Sequence, residues 1–324
     1  MLIQSDNLEK GMLSIIVPAY NEETNIRNTA EIISNIMYKA SIPFELIFVD
    51  DGSKDRTWDI INKTSEDIPF VSGILFSRNF GKESAIMAGL SESKGDCCVV
   101  IDCDLQHPPE KIVEMYHLWE KGYEIIEGCK SSRGDEGKIH LVAVKMFYSI
   151  ISTVTGFDMA NASDFKLLDR KAVSILVNMR ERNAFFRAMS SWIGFRTVTV
   201  TFDVQERNAG ESKWSTMALI KYALNNISSF STAPMQIVTV LGVIMLIVSI
   251  IFGVTSLVQW FLGQALEGFT TVILILLFSG SIIMISLGII GYYISKIYEE
   301  VKGRPKYIIS ERINGEYTNE TVAN

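Results

Sequence analysis

Several things are scarce in this chain of 324 residues, and each scarcity closes off a class of function. There are four cysteines and three histidines, with no metal-ligand spacing between them. That removes a zinc module and leaves Cys97, Cys98, Cys103 and Cys129 as core thiols of a reducing compartment. Basic residues are in deficit, 30 Lys and Arg against 37 Asp and Glu, for a net charge of −7. With a pI near 5.2 and no basic stripe interleaved with aromatics, a general nucleic-acid binder is excluded. No Gly-x-Gly-x-x-Gly follows the first β-rich run and no Gly-Lys-Ser/Thr loop occurs, so the glycine-rich phosphate cradles are missing. Met1-Leu2-Ile3-Gln4-Ser5-Asp6 carries no basic-then-apolar leader, so the part ahead of the apolar runs is expected to stay in the cytosol.

Charge is missing altogether from residues 234–262 and again from 269–295, and these runs account for much of the mean hydropathy of +0.22. Each exceeds the roughly 20 apolar residues needed to cross a hydrocarbon core of about 30 Å, and interior helices are seldom so long or so uniformly apolar. Two transmembrane helices, about 234–262 and 270–295 within a segment 233–296, are therefore expected. The loop between them holds Glu267 and no Lys or Arg, whereas Lys213, Lys221, Lys296, Lys302, Arg304 and Lys306 flank the pair. By the positive-inside rule both termini are cytosolic, in a multi-pass protein of the cytoplasmic membrane. Trp260, Tyr292 and Tyr293 stand near the span ends, as interfacial aromatics do.

Ahead of the spans, short β-rich runs alternate with helical patterns. Strands are expected over 13–17, 44–49, 71–76 and 97–101, and helices over 23–40, 57–65, from near Gly81, and after Pro108-Pro109. Such alternation predicts an α/β domain, a mainly parallel sheet with helices on both faces. Further along, 140–155 has helical periodicity, 163–168 reads as a short strand, and 196–204 alternates like an exposed or edge strand. Residues 215–228 form an amphipathic helix, lying on the membrane or against the globular part, and 314–324 read as a polar tail. The resulting partition is a cytosolic catalytic domain 1–213, a juxtamembrane helix 214–232, the hairpin 233–296 and a cytosolic tail 297–324.

The run Val99-Val100-Ile101-Asp102-Cys103-Asp104-Leu105-Gln106 carries the chemistry. Residues two apart on a strand project to one face, so Asp102 and Asp104 aim two carboxylates at the strand end, where open α/β sheets bind ligands. Two convergent anionic groups invite a hard divalent cation, and such a cation commonly carries a diphosphate. A lone Asp-x-Asp also arises in ordinary turns.

Five segments turn that pattern into a resemblance. They are Ile16-Val17-Pro18-Ala19-Tyr20-Asn21-Glu22, Val49-Asp50-Asp51-Gly52-Ser53, Ser77-Arg78-Asn79-Phe80-Gly81-Lys82, Asp102-Cys103-Asp104-Leu105-Gln106 and Ser163-Asp164-Phe165-Lys166-Leu167-Leu168. Together they resemble family 2 glycosyltransferases of the GT-A fold. With Glu206-Arg207-Asn208-Ala209-Gly210-Glu211-Ser212-Lys213-Trp214 they resemble the polyprenyl-phosphate sugar transferases, the dolichyl-phosphate mannose synthases and bacterial bactoprenol glucosyltransferases. The implied fold class is a GT-A nucleotide-diphospho-sugar transferase domain followed by a two-helix transmembrane hairpin. Two departures stand out: His107 replaces an Asp of the family pattern, and Ser163-Asp164-Phe165-Lys166 replaces Gly-Asp-Phe-Arg. The second substitutes a lysine for the planar two-pronged donor of arginine, which speaks against a phosphate role for Lys166.

The resemblance implies roles. Pro18, Ala19, Tyr20 and Glu22 would hold the nucleoside, although Asn21 in the same turn suffices as an ordinary helix cap. Asp50 would meet base or ribose, and Asp51 is either a turn residue or part of the site; Lys82 completes the nucleotide set. Asp104 would bind Mg²⁺ or Mn²⁺, Asp102 would assist through metal or sugar, and Gln106 would support them; His107 reads as a solvated loop residue. Asp164 would be either a general base or a group that orients the donor sugar. A base is not obligatory, because a phosphate acceptor with a second pKa near 6 is already ionised. Arg133, Lys138, Arg207 and Lys213 are the candidates for holding that acceptor phosphate.

The function expected is an inverting, metal-dependent transfer of a hexose to polyprenyl (undecaprenyl) phosphate at the cytosolic membrane face. UDP-glucose is the first donor, UDP-N-acetylglucosamine or GDP-mannose the alternatives, and a surface polymer is finally modified. A separate flippase and a downstream transferase are implied partners, along with membrane lipid. The hairpin is either a plain anchor or also an oligomerisation surface through Gly280, Gly288 and Gly291; the resemblance points to a homo-oligomer, a tetramer. A processive polysaccharide synthase would need a Gln-x-x-Arg-Trp motif and more spans, and neither is present. An inactive membrane scaffold would not need Asp102, Asp104 and Arg207.

Overall fold

The computed structural model describes residues 11–130, 163–179, 181, 185–202, 233–262 and 268–313. Outside these lie the helices expected over 140–155 and 215–228, the tail 314–324, and all four acceptor-phosphate candidates, Arg133, Lys138, Arg207 and Lys213. The chain divides into two compact units, Met1–Lys213 together with Pro305–Asn324, and Trp214–Arg304.

The first unit is built on an eight-stranded sheet. Its strands are β1 (Leu13–Ala19), β2 (Phe44–Asp50), β3 (Val71–Phe76), β4 (Cys97–Val100), β5 (Ile125–Lys130), β6 (Lys166–Asp169), β7 (Thr197–Phe202) and β8 (Ile309–Ile313). The spatial order is β7-β5-β6-β4-β1-β2-β3-β8. The centre, β4-β1-β2-β3, is parallel. Antiparallel pairs flank it, β4 with β6, β5 with β6 and β3 with β8. The sheet is therefore mixed, its parallel character confined to the centre and the β5–β7 pair. β7 lies at one edge, as its alternation predicts.

Helices α1 (Ile26–Ala40), α2 (Thr57–Asp67), α3 (Lys82–Glu92) and α4 (Lys111–Glu120) follow the first four strands, and α5 (Arg170–Asn178) and α6 (Phe186–Trp192) follow β6. One face of the sheet buries Leu13, Ile15 and Val17 of β1 against Ile26, Ile33 and Met37 of α1 and Ile112 and Met115 of α4. The other packs Ile47, Val49, Ile74 and Phe76 against Ala85 and Ala88 of α3. Because both faces are covered, the central strands read as continuous apolar runs. α3 lies unusually close to β1: a Cβ on Gly89 would stand 2.3 Å from Ile16 Cγ2. That approach fixes the α3 N-terminus, and with it Lys82, at the strand ends.

The second unit contains α7 (Ala233–Phe261) and α8 (Phe269–Val301). Both are long and apolar enough to cross a membrane, with exposed side chains along the apolar windows Val238–Thr255 and Phe278–Val301. They pack on one another as a hairpin requires.

Candidate active site

The site lies at the C-terminal ends of β1, β2 and β4. The chain runs β1, β2, β3 to one side and returns to place β4 on the other, so the β1/β4 boundary is the switch point where such sheets bind ligands. Two turns are clasped together there. Asn21, in the left-handed region at φ 55°, accepts the Lys54 N–H on Oδ1 at 2.9 Å and donates its own N–H to Ser53 Oγ at 2.8 Å. The Glu22 N–H donates to Thr57 Oγ1 at 2.9 Å. Asn21 is thus a loop-to-loop clasp and not the α1 cap, since α1 starts at Ile26 with Asn25 before it.

The β3–α3 loop is drawn in by Asp51, whose Oδ1 accepts the Phe80 N–H at 2.6 Å and whose Oδ2 accepts the Gly81 N–H at 2.8 Å. Gly52, at φ +67°, makes room for this approach; a Cβ there would stand 2.4 Å from the Arg78 carbonyl carbon. Burial pushes the Asp51 carboxyl up against the pull of these bonds. Asp50 is fully buried, its Oδ1 accepting the Ser53 N–H at 2.8 Å. Its Oδ2 has no hydrogen-bond partner among the described residues, and burial raises its pKa too.

β4 ends at Val100, so Asp102 and Asp104 sit in the loop beyond it. The alternation persists nonetheless. Cys103 is buried between them, its carbonyl accepting the Thr29 hydroxyl at 2.8 Å, while both aspartates line one cavity of about 300 Å³. Leu105, at φ 53°, turns the chain, and the Gln106 N–H donates to Asp104 Oδ1 at 3.2 Å. Pro18, Ala19, Tyr20, Glu22, Asp51 and Lys82 line the same cavity, joined by Asn79 and Gly81. Asp50 and Gln106 are not in that lining, and Gln106 reaches Asp104 through its backbone.

Asp164 arrives from the other side of β4. The antiparallel register Val100↔Lys166 sets the residues two beyond each, Asp102 and Asp164, on neighbouring walls. The Lys82 ammonium joins them, 2.6 Å from Asp102 Oδ1 and 2.8 Å from Asp164 Oδ2. Arg187, at the start of α6, grips Asp164 with two prongs, Nε to Oδ1 at 2.6 Å and Nη2 to Oδ2 at 2.9 Å. Burial opposes ionisation of Asp164, but the Arg187 hydrogen bonds and the nearby Lys82 charge outweigh it and hold the carboxyl well below the ordinary range. Burial likewise opposes the charge of Lys82, and its two carboxylates hold it above the ordinary lysine range. Glu83 accepts the Phe186 N–H at 2.9 Å; burial first and the Asp164 charge second raise it to about 7. Arg187 and Glu83 escape sequence reasoning, although Glu83 directly follows a residue that did not, and Asn79 stands in the Ser77–Lys82 motif without a role of its own.

Two readings from sequence need correction or sharpening. His107 is no solvated loop residue: it is buried, stacked on Phe165 at 5.2 Å and edge-on to Phe202 at 5.3 Å. Lys166 is fully buried, with its ammonium 2.5 Å from Glu127 and 2.7 Å from Ser190 Oγ. It faces the interior and presents nothing to a phosphate.

Among the described residues lining the cavity, Glu22, Asp51, Asp102 and Asp104 are acidic and Lys82 alone is cationic. A nucleoside diphosphate would meet mostly negative charge unless a cation entered with it. The carboxylates of Asp102 and Asp104 are hard oxygen donors that suit Mg²⁺ or Mn²⁺. Two carboxylates leave most coordination positions to water and phosphate, which is how Mg²⁺ is usually held. No larger cluster of metal-ligating side chains occurs among the described residues.

A sheet of this topology with a cavity at its switch point is the GT-A arrangement, and residues 14–175 match the family described as Glycosyl transferase family 2. The chain belongs to that family. Among its relatives, an uncharacterized glycosyltransferase, YkcC, of Bacillus subtilis is 38% identical, covering 92% of this chain and 93% of its own. The prophage bactoprenol glucosyl transferase homolog of Escherichia coli is 36% identical over 92% of this chain and 98% of that one. The bactoprenol glucosyl transferase of Shigella phage SfII is 34% identical over 94% and 99%. Among solved structures, a glucosyl-3-phosphoglycerate synthase from Mycobacterium tuberculosis aligns at a TM-score of 0.44 and 20% identity, covering 68% of this chain and 78% of that one.

Proposed function

We propose that this glycosyltransferase moves glucose from UDP-glucose to the phosphate of a polyprenyl lipid, giving a lipid-phosphate sugar and UDP. Likeness to proteins named bactoprenol glucosyl transferase, at 34–36% identity over nearly the full length, carries this reading. The cavity supports a nucleotide-sugar donor: the β1 turn would seat the nucleoside and the loop carrying Asp102 and Asp104 the diphosphate. Those two residues would hold Mg²⁺ or Mn²⁺, which when bound neutralises charge developing on the departing diphosphate.

The acceptor phosphate oxygen attacks the anomeric carbon of the sugar as the bond from that carbon to the diphosphate oxygen breaks, so one displacement inverts the configuration. The acceptor needs no base, being mostly dianionic above a pKa of about 6. Asp164 is unsuited to that office in any case, because both its oxygens are already taken by Arg187 and Lys82. It serves as the anchor that fixes Arg187 beside the sugar, with Lys82 held on the same carboxylate in the empty site.

Chain continuity supports the membrane placement. β8 lies beyond α8 in sequence yet pairs with β3 from the N-terminal half. If α7 and α8 span a bilayer, the chain before and after them lies on one side, and the basic flanks favour the cytosol for it. Lys302 Nζ stands 4.3 Å from the Tyr298 ring centre near the end of α8, a pairing suited to the interface. Two helices form no pore, so carrying the product across falls to a separate flippase, with a downstream transferase consuming it outside. Gly280, Gly288 and Gly291 have open space around them, which supports close approach of a second copy.

The test is a panel of radiolabelled UDP-glucose, UDP-N-acetylglucosamine and GDP-mannose with undecaprenyl phosphate in detergent, read by organic extraction. A lipid-extractable product from UDP-glucose, lost in Asp104→Ala, is the result expected. Equal activity without lipid, or an active Asp104→Ala protein, would overturn the acceptor or the metal assignment respectively.

A further inference from the structure

Lys82 is the one cationic side chain among the described residues lining the cavity, and it is shared. Its ammonium bonds Asp102 on one wall and Asp164 on the other, at 2.6 and 2.8 Å. Asp164 does not depend on it, since Arg187 supplies two further bonds. Asp102 is different. It is one of the two carboxylates assigned to the divalent cation, and its Oδ1 is already engaged by an ammonium. A divalent cation and the ammonium would compete for the charge of that one carboxylate.

The lysine is also built to move. It is the first residue of α3, flanked by Gly81 at φ +99° with open space around it, and its side chain is 41% exposed towards the cavity. The backbone below it is fixed, because Asp51 binds the Phe80 and Gly81 N–H groups and α3 is packed on β1 through Gly89. The flexible four-carbon stem can therefore swing without moving its support.

We propose that Lys82 is the resident cation of the donor site: it neutralises Asp102 while the site is empty, then hands that carboxylate to the divalent cation and turns its ammonium to the incoming diphosphate. The inference rests on the donor and metal reading above and adds an exchange of partners to it. The exchange keeps the charge count favourable in both states. Four carboxylates are never left without a cation, and the arriving diphosphate meets two positive centres instead of one. It also makes the metal and the nucleotide bind best together, because metal alone must displace Lys82 from Asp102 and leave the ammonium with Asp164 as its one carboxylate.

The distinguishing consequence is a pair of opposite effects. In full-length protein in detergent, Mn²⁺ binding without nucleotide is followed by electron paramagnetic resonance, and UDP binding at saturating Mn²⁺ by calorimetry. Lys82→Met should bind Mn²⁺ alone about tenfold more tightly than wild type, because its competitor is gone, and UDP about tenfold more weakly, a factor corresponding to one unit of charge interaction. Lys82→Gln, which removes the charge but keeps a polar donor on a shorter stem, should shift both affinities the same way and serves if the methionine variant does not fold. Unchanged or weaker Mn²⁺ binding in either variant would overturn the exchange, and tighter Mn²⁺ with unchanged UDP affinity would overturn its second half. Asp104→Ala, which leaves the Lys82–Asp102 pair in place, separates this from the underlying reading: if that variant binds Mn²⁺ as wild type does, the metal assignment itself is wrong.

Discussion

Arg187 and Asp164 are joined by two parallel hydrogen bonds of 2.6 and 2.9 Å, with Lys82 closing on the same carboxylate from the cavity side. A carboxylate held by two cations is an anchor, and its removal should look different from the removal of a base. Arg187→Lys loses the planar fork and should lower kcat/KM on the order of a hundredfold, the scale of one preorganised charged donor. Asp164→Asn should also lower kcat, but the shape of its pH profile between pH 6 and 9 should match wild type. A base would instead remove a limb from that profile. Steady-state rates across this range decide the matter.

Glu83 ties the two halves of the anchor together. It follows Lys82 in α3, and its carboxylate accepts the N–H of Phe186, the residue before Arg187. If it acts by seating α6, its loss should matter only while Arg187 is present. Glu83→Ala and Arg187→Ala should then be non-additive in kcat by more than about 1 kcal/mol, and Glu83→Gln, which still accepts that bond, should keep activity. Its acidity gives an independent readout. With the folded-state pKa raised from 4.5 to about 7, the folded chain keeps a proton that the unfolded chain releases across that window. Stability from this group therefore falls as pH rises from about 4.5 to 7. Thermal unfolding should show Glu83→Gln gaining on wild type between pH 5 and pH 8, by an amount on the order of a few degrees.

Lys166 makes the contrasting case of a buried charge outside the chemistry. Burial pulls its pKa down, and Glu127 works against that pull. Removing one member of such a pair typically costs about 3–5 kcal/mol, because the other charge is stranded. Lys166→Met should therefore lower Tm sharply, while the paired change Lys166→Met with Glu127→Leu should recover much of the loss. Because the Lys166 ammonium also meets Ser190 and the Arg187 carbonyl of α6, at 2.7 and 3.4 Å, turnover per folded molecule at low temperature should fall, but far less than in the Arg187 variants.

The difference between Lys166 and Arg187 marks where sequence stops being informative. The central strands are legible because helices on both faces demand apolar runs, and the Asp102–Asp104 pair is legible because its spacing projects both groups one way. Arg187 is not legible. Its meeting with Asp164 depends on the antiparallel register of β4 and β6 and on Glu83 seating α6, neither of which leaves a local pattern. The mixed character of the sheet escapes for the same reason: β5 (Ile-Ile-Glu-Gly-Cys-Lys) and β8 (Ile-Ser-Glu-Arg-Ile) are short and polar, and distant partners make them strands. His107 and Lys166 carry polar labels, yet their surroundings bury them.

β8 supplies the last test, because it binds the end of the chain to the site. Ser77 donates its N–H to the Ile308 carbonyl at 3.0 Å, Tyr307 stacks on Phe76 at 5.1 Å, and Phe80 meets the same Phe76 edge-on at 5.8 Å. The loop carrying Asn79, Gly81 and Lys82 is thus braced by residues that come after the second apolar helix. Trp58 and Arg312 add side-chain bonds at 3.0 and 2.9 Å to Glu311 and Glu92. Ending the chain at Arg304 should strip this brace and leave β3 as a bare parallel edge, open to pairing with other chains. The truncated protein should aggregate in size-exclusion chromatography and lose transferase activity, whereas ending it at Ile313 should preserve both properties. Tyr307→Ala should be intermediate, losing on the order of 1–3 kcal/mol and weakening UDP binding several-fold. Tyr307→Phe should restore both, since the stacked ring, not the hydroxyl, supports the loop that presents Lys82.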